Sequence, residues 1–535
     1  MKSSKSIVIA CSLLLFFSGL AGLTFQIIWT RMLLLVFGVT TISVVAVITS
    51  FMAGLGVGSL ILGKIGDKSK SPLRLYGFLE ILVGISALIA TFSISQLFVI
   101  YRNFSDPQLV LLVKFLSSFL VLFLPTFFMG GTVPVVVKFL RIKLSAPVDG
   151  WLSGVYALNT LGAFTGVFVC AYFLIEILGL FNVVAVGAVI NFVVGIGAIW
   201  LDRTYRDNRF ASSRQTVNLS KSDKQIVGSG YSEKSTFLIF FAVAGSGFLS
   251  MAYEVLWTRL LISITDTYIY SFAQILAIIL LGIALGSLLY NRFLVKVRLA
   301  MLLLGLLQIG IGLGAFVSIL MVSTFYPGVA VLMMSLTILP AAIFMGMSFP
   351  VASKLFQSSK AIGASVGKLY FVNILGSVLG PIATAFFLLP ILGTGRSILF
   401  LVLINCLIGL ALIYFEELPG AKNIRTKAAV ALMVFFIAFG IFDMIKPDYF
   451  YSKNLKHRFR QLKLDGYRFS FVEDNTASVL AYRSSDDRDY GLMIDGVPTT
   501  ILVDDTKLMA HLPLLLHKNP QKVLVVAFGM GTTLI

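Results

Sequence analysis

The chain has 535 residues, of which 58% are hydrophobic and 12% charged, with a formal net charge of +18. A water-soluble protein of this length could not cover so much apolar surface, so the composition excludes a soluble globular enzyme and indicates a polytopic membrane protein whose main partner is the lipid bilayer. A nucleic-acid partner is excluded by where the positive charge falls. Lys64, Lys68, Lys70 and Arg74, then Lys138, Arg141 and Lys143, then Arg203, Arg206 and Arg209, then Arg292, Lys296 and Arg298, then Lys422, Arg425 and Lys427 occupy alternate loops, the pattern of cytoplasmic connections in a multi-pass membrane protein.

Taken in chain order, apolar stretches predict membrane helices near 7–28, 39–62, 74–100, 109–137, 150–174 and 180–201, which form a first repeat over 1–201. The first stretch has the basic start and small residues of a secretory signal. Its counterpart near 237–261 is internal, so it is read as a retained helix. A polar stretch rich in Ser, Lys and Arg, 202–236, reads as a cytoplasmic linker. A second repeat, 237–415, carries helices near 237–262, 268–290, 299–324, 328–350, 367–389 and 396–415. The next unit, 416–446, holds a further apolar run, Ala428–Ile445, read as an extra membrane helix. The fold class is therefore all-α and polytopic, with duplicated six-helix halves and 12–13 helices in a cell inner (plasma) membrane.

The duplication is explicit in the residues. Trp29-Thr30-Arg31 returns as Trp257-Thr258-Arg259, and Gly54, Gly58 and Ser59 return as Gly282, Gly286 and Ser287. Phe128-Met129-Gly130, Pro134 and Lys138 return as Phe344-Met345-Gly346, Pro350 and Lys354, and Tyr156, Asn159, Gly162 and Gly166 as Tyr370, Asn373, Gly376 and Gly380. Internal duplication of helical halves is characteristic of transporters. The paired Gly-x-x-x-Gly spacings predict close helix packing.

Beyond 446 the composition becomes that of a soluble domain. Alternating segments at 469–473, 478–483 and 491–494 predict strands of a small β domain over 447–503, with Asp495-Gly496 as a tight turn. The basic run Lys453–Lys463 carries Leu455, Phe459 and Leu462, and reads either as a helix lying on an anionic membrane surface or as a solvated linker. A helix over 504–516 and a buried parallel strand at 523–526 predict the start of an incomplete Rossmann-like methyltransferase domain, 504–535.

The run Ile494-Asp495-Gly496-Val497, then His511-Leu512-Pro513-Leu514-Leu515-Leu516-His517, then Asn519-Pro520-Gln521-Lys522-Val523-Leu524-Val525-Val526, then Gly529-Met530-Gly531 resembles the start of the spermidine synthase (polyamine aminopropyltransferase) family. With the duplicated membrane part before it, the chain resembles fused major-facilitator-like/spermidine synthase membrane proteins. The resemblance implies decarboxylated S-adenosylmethionine and a diamine as substrates of the complete protein, with Gly529 and Gly531 lying against the nucleoside, and no further cofactor. It also implies departures: Ala477, Thr506 and Met530 stand where the family has a glutamine, a histidine and an acidic residue. The catalytic and ribose-binding acids are expected beyond Ile535, so the chain as given is expected to be truncated and inactive in aminopropyl transfer. The segment Gly63-Lys64-Ile65-Gly66-Asp67-Lys68-Ser69-Lys70 resembles the gating loop between helices two and three of major facilitator transporters, which implies roles for Gly63, Gly66, Asp67 and Lys68. In the second half Asn291 replaces the first glycine.

Polar residues inside apolar helices are costly and therefore candidates for a site. Glu254 and Arg259, with their counterparts Gln26 and Arg31, are expected either as a structural Glu–Arg pair between the halves or as a cation-recognising site. Glu80, Glu176 and Asp266 are the other acids at membrane depth. Asn159 and Asn373 are expected to bond between helices. Cys11, Cys170 and Cys406 lie in apolar segments, and His457, His511 and His517 have no metal-ligand spacing, so no metal site is expected. Two side assignments compete for the C-terminal domain. With a cytoplasmic N-terminus, twelve crossings return the chain to the cytoplasm near Glu416. A thirteenth at 428–445 would place the tail outside, whereas a re-entrant or surface helix would keep it inside. The leading reading is a polyamine-related or nucleoside-using membrane transferase. The alternatives are a transporter for a polyamine or other small solute with a regulatory tail, and a non-catalytic scaffold.

Overall fold

The computed structural model describes residues 2–38, 40–144, 149–206, 233–265, 268–295, 297, 299–325, 327–355, 362–416, 453–474, 477–485, 490–494, 497–501 and 515–516. Twelve long helices fill the first part: α1 (Lys2–Phe37), α2 (Thr40–Lys68), α3 (Pro72–Tyr101), α4 (Pro107–Leu144), α5 (Asp149–Val169), α6 (Ile175–Arg206), α7 (Glu233–Thr265), α8 (Tyr268–Leu289), α9 (Ala300–Thr324), α10 (Pro327–Leu355), α11 (Ile362–Ala383) and α12 (Leu389–Tyr414). The described residues form ten continuous apolar helical runs, two of which, Gly154–Thr204 (51 residues) and Leu369–Tyr414 (46 residues), are each about twice the roughly 20 residues one crossing requires. Each of these two breaks where a glycine takes a left-handed backbone, Gly179 at φ +74° and Gly393 at φ +71°. Only glycine adopts that conformation without steric cost. The chain reverses there, so ten runs supply twelve crossings, six in each half.

The backbone contacts of the glycines repeat with the sequence. Gly162 and Gly166 of α5 lie against the backbone of Phe16 and Leu20 in α1, and Gly376 and Gly380 of α11 lie against Ala244 and Phe248 in α7. Gly77 and Gly195 pack on each other's carbonyls between α3 and α6, as Gly305 and Gly409 do between α9 and α12. A side chain at any of these positions would push two helices apart, which is the close packing that the small-residue spacing predicts. The tryptophans repeat too. Trp29 Nε1 donates to Thr91 Oγ1 at 2.9 Å while its ring stacks on Phe25 at 5.5 Å, and Trp257 Nε1 donates to Ser318 Oγ at 3.0 Å while its ring stacks on Tyr253 at 5.0 Å.

After the membrane helices come α13 (Lys453–Leu464) and a four-stranded antiparallel sheet in the order β1 (Arg468–Glu473), β2 (Ser478–Arg483), β3 (Tyr490–Ile494), β4 (Val497–Ile501). Phe459 of α13 stacks on Phe469 of β1 at 5.0 Å and meets Phe471 edge-on at 5.6 Å, so the basic run is a helix packed on the sheet rather than a linker. Gly466 at φ +74° makes the turn into β1. The extra apolar run Ala428–Ile445, the strand Val523–Val526, the glycines Gly529 and Gly531, His511, His517, Asp266 and most of the linker 202–236 lie outside the described residues.

Candidate functional site at the seam between the halves

The basic loops define one end of the bundle. At the opposite end the two halves share one core: Ile28, Leu33, Val44 and Leu97 of the first half pack with Val255, Phe272, Leu276 and Ala385 of the second. Polar and aromatic contacts cross the same seam. Tyr172 stacks on Tyr270 at 5.5 Å, and Tyr270 donates its hydroxyl to Glu176 Oε1 at 2.6 Å. Toward the basic loops the described cores are each made from one half. Cys11, Leu62, Tyr76 and Leu140 belong to the first, while Met301, Val351 and Leu412 belong to the second. The arrangement is sealed at one end by both halves together and cored separately at the other.

Arg259, near the end of α7, is 7% exposed and sits within this seal. Its Nη1 donates to Thr41 Oγ1 of α2 at 3.3 Å, across the halves, and its Nε lies 3.5 Å from Glu473 Oε1 of β1. Thr394 donates its hydroxyl to the same carboxylate oxygen. The carboxylate beside Arg259 comes from the C-terminal sheet and not from the other membrane half; Glu254, five residues earlier on a helix of 3.6 residues per turn, points to a different face. Glu254 is 2% exposed with its Oε1 unpartnered. It lies between Tyr253, which packs into the second-half core, and Val255, which packs into the shared seal.

The remaining candidates divide by half. Glu80 in α3 is buried and accepts from Ser18 at 2.6 Å, while its other oxygen has no partner. The repeat places Gln308 at the corresponding position of α9, also buried, with both amide atoms unpartnered. Gln26 is buried and Arg31 half-buried in α1. Asn373 bonds between helices, its Nδ2 donating to the Val243 carbonyl of α7 at 3.1 Å, and Asn159 of α5 packs against Gly19 of α1.

The gating segment differs from its expected form. Gly63, Gly66, Asp67 and Lys68 are not a loop but the last turns of α2. Asp67 pairs with Lys138 of α4 at 3.4 Å. In the second half, where Val295 stands in place of Asp67, Lys354 instead donates to the carbonyls of Val295 and Val297 at 2.5 and 2.7 Å, next to a π-turn at Tyr290–Leu294. Thr41, Thr394 and Glu473 carried no sequence signal of their own. Only the left-handed glycine shared by the two halves marks the place where Thr394 begins.

No protein-family model matches the chain, and no curated protein matches it by sequence. Among solved structures it is similar to the nucleoside transporter NupG (14% identity, TM-score 0.53, covering 77% of this chain and 99% of that one) and to the POT family transporter PepTSo (14%, 0.53, 77% and 97%). It is also similar to a bacterial homologue of the iron transporter ferroportin in its outward-facing state (12%, 0.50, 77% and 100%). The chain has a major-facilitator-like membrane fold. At these identities the likeness is one of architecture.

Proposed function

We propose that the chain is a membrane transporter that moves a small solute by opening the seam between its halves alternately at either end. The observation that carries this reading is the one-ended seal. Residues of both halves share a core at one end, while the cores toward the basic loops are built within each half. Two halves that share one buried core at one end and keep separate cores toward the other suit a rocking mechanism. The similar structures, by their own descriptions a nucleoside transporter, a POT family transporter and a bacterial homologue of an iron transporter, support the same reading. Glu254, buried at the seam with an unpartnered oxygen, is the residue assigned to solute or ion recognition. The transferase reading rests on resemblance alone, and the residues that carry it from Asp504 onward, Leu515 and Leu516 aside, fall outside the described part of the chain.

The basic end is assigned to the cytoplasm. Glu416 accepts from the Leu302 amide at the start of α9, beside the C-terminal end of α12, whereas Glu473 meets Thr394 at the N-terminal end of the same helix. From Thr394 to Tyr414 that helix rises about 30 Å at ~1.5 Å per residue. The chain thus passes from one end of the bundle to the other between Glu416 and the sheet. This supports the reading with an additional crossing at 428–445 and, with it, a sheet on the outer side.

The test is reconstitution of the full chain in liposomes, with uptake measured for labelled nucleosides, polyamines and organic acids. The reading predicts saturable uptake of at least one class, lost in Glu254→Gln. Uptake no greater than in protein-free liposomes for every class would contradict it.

A further inference from the structure

Arg259 is a buried guanidinium whose hydrogen-bonding capacity is only partly used. Its Nη1 is spent on Thr41 and its Nε faces Glu473, while its Nη2 is buried with no partner. The carboxylate it faces is held from a second side. Thr394 donates to Glu473 Oε1, and Gly393 lets the other oxygen approach so closely that a Cβ there would stand 2.7 Å from Oε2. Thr394 also begins the long helical part of α12 after the left-handed break, so the carboxylate lies at a helix N-terminus, where the peptide dipoles favour an anion.

The duplication supplies an internal comparison. The first half has the same helix break at Gly179, with φ +74°, and the same arginine, Arg31. It has Leu180 where the second half has Thr394, and among the described residues nothing lies within 4 Å of a Cβ built on Gly179. The scaffold therefore exists twice, and among the described residues a carboxylate occupies only the copy that carries the hydroxyl.

We infer that Arg259, Thr394 and Thr41 form a binding site for a small organic carboxylate at the end of the bundle opposite the basic loops, and that Glu473 of the C-terminal sheet occupies it as a tethered competitor. The planar guanidinium takes a free carboxylate through Nε and Nη2 side by side, a geometry that uses the nitrogen Glu473 leaves unpaired. Displacement of Glu473 detaches the sheet from the seal. Because Arg259 also ties the two halves through Thr41, an acidic solute bound there acts on the closure itself. The site is independent of whether solute crosses the membrane, so its test stands apart from the uptake assay.

The experiment uses the full chain in lipid nanodiscs, with sodium propionate as the probe and sodium chloride and inorganic phosphate as ionic controls. Glu473→Ala is expected to lower Tm, and propionate to restore it. Restoration is expected to vanish in the Glu473→Ala/Arg259→Ala double variant, and Thr394→Val to weaken the propionate response about ten-fold or more, as for loss of a hydrogen bond to a charged group. Glu473→Gln keeps the side-chain volume and covers the case in which the alanine variant does not fold. There Arg259 is expected to become reactive to phenylglyoxal, and propionate to protect it again. Equal restoration in the double variant overturns the site. Equal rescue by phosphate overturns its assignment to carboxylates, and an Arg259 no more reactive in Glu473→Gln than in the unaltered chain overturns the role of Glu473 as occupant.

Discussion

Arg259 Nη1 donates to Thr41 Oγ1 at 3.3 Å, and this bond joins the last turns of α7 in one half to the first turn of α2 in the other. It sits in the seal that keeps one end of the bundle closed, beside Val255 and Val44 of the shared core. Substitution of Arg259 by alanine removes the tie and the anchor of Glu473 together. The expected result is a shift toward conformers open at this end. A cysteine placed at Tyr172, which stacks on Tyr270 across the seam, should then react several-fold faster with a membrane-impermeant thiol reagent, measured against the same cysteine with Arg259 intact. Unchanged reactivity would show that the apolar core alone keeps the end closed.

Gly376 lies against the Ala244 carbonyl, with no room for a side chain. Gly376→Val is expected to destabilise the second half by about 1–3 kcal/mol or more, the usual cost of overpacking. A Cβ at Gly154, by contrast, meets nothing within 4 Å among the described residues, so Gly154→Ala is expected to be near neutral. Thermal unfolding in detergent of the two variants side by side checks the pair, and equal loss in both would argue against the glycine contacts.

The contacts that repeat were legible in the sequence, because a packing glycine or a stacked tryptophan is fixed by its own helix and that helix is written twice. Hydropathy likewise marked all twelve crossings, and alternation marked β1 to β3. β4, with Pro498 inside it, has no such period. Most of the Arg259 cluster was not legible. Thr41, Arg259, Thr394 and Glu473 come from four distant parts of the chain, and only Arg259, in the repeated Trp-Thr-Arg motif, carried a signal of its own. Residue types alone led to the expectation of a Glu–Arg pair between the halves, and they do not say which distant carboxylate a buried arginine meets.

Trp257 Nε1 donates to Ser318 Oγ at 3.0 Å in a fully buried setting. Ser318→Ala leaves that donor unsatisfied and is expected to cost about 1–3 kcal/mol, the penalty for stranding a buried polar group. Trp257→Phe in the same background should recover part of this loss, because it removes the donor. A double-mutant cycle on thermal stability measures the coupling. Additive effects would mean the bond contributes nothing.

Glu254 carries a different expectation. A buried carboxylate with an unpartnered oxygen is costly, and a neutral amide of the same shape costs less. Glu254→Gln is therefore expected to unfold at a higher temperature than the unaltered chain while losing uptake, the signature of a residue kept for function at the expense of stability. A lower unfolding temperature would instead assign Glu254 to the structure.

Alternating access is tested most directly by distances between spin labels on the two halves, measured on the full chain in nanodiscs in a cysteine-free background. One pair, Lys64→Cys with Arg292→Cys, reports the basic end; the other, Arg102→Cys with Phe325→Cys, reports the sealed end. All four positions are exposed. Two populations are predicted at each end, with the long distance at one end accompanying the short distance at the other, and with the balance shifting when a transported solute is added. A single distance at both ends, unmoved by any solute that binds, would contradict a transporter and leave a rigid membrane scaffold.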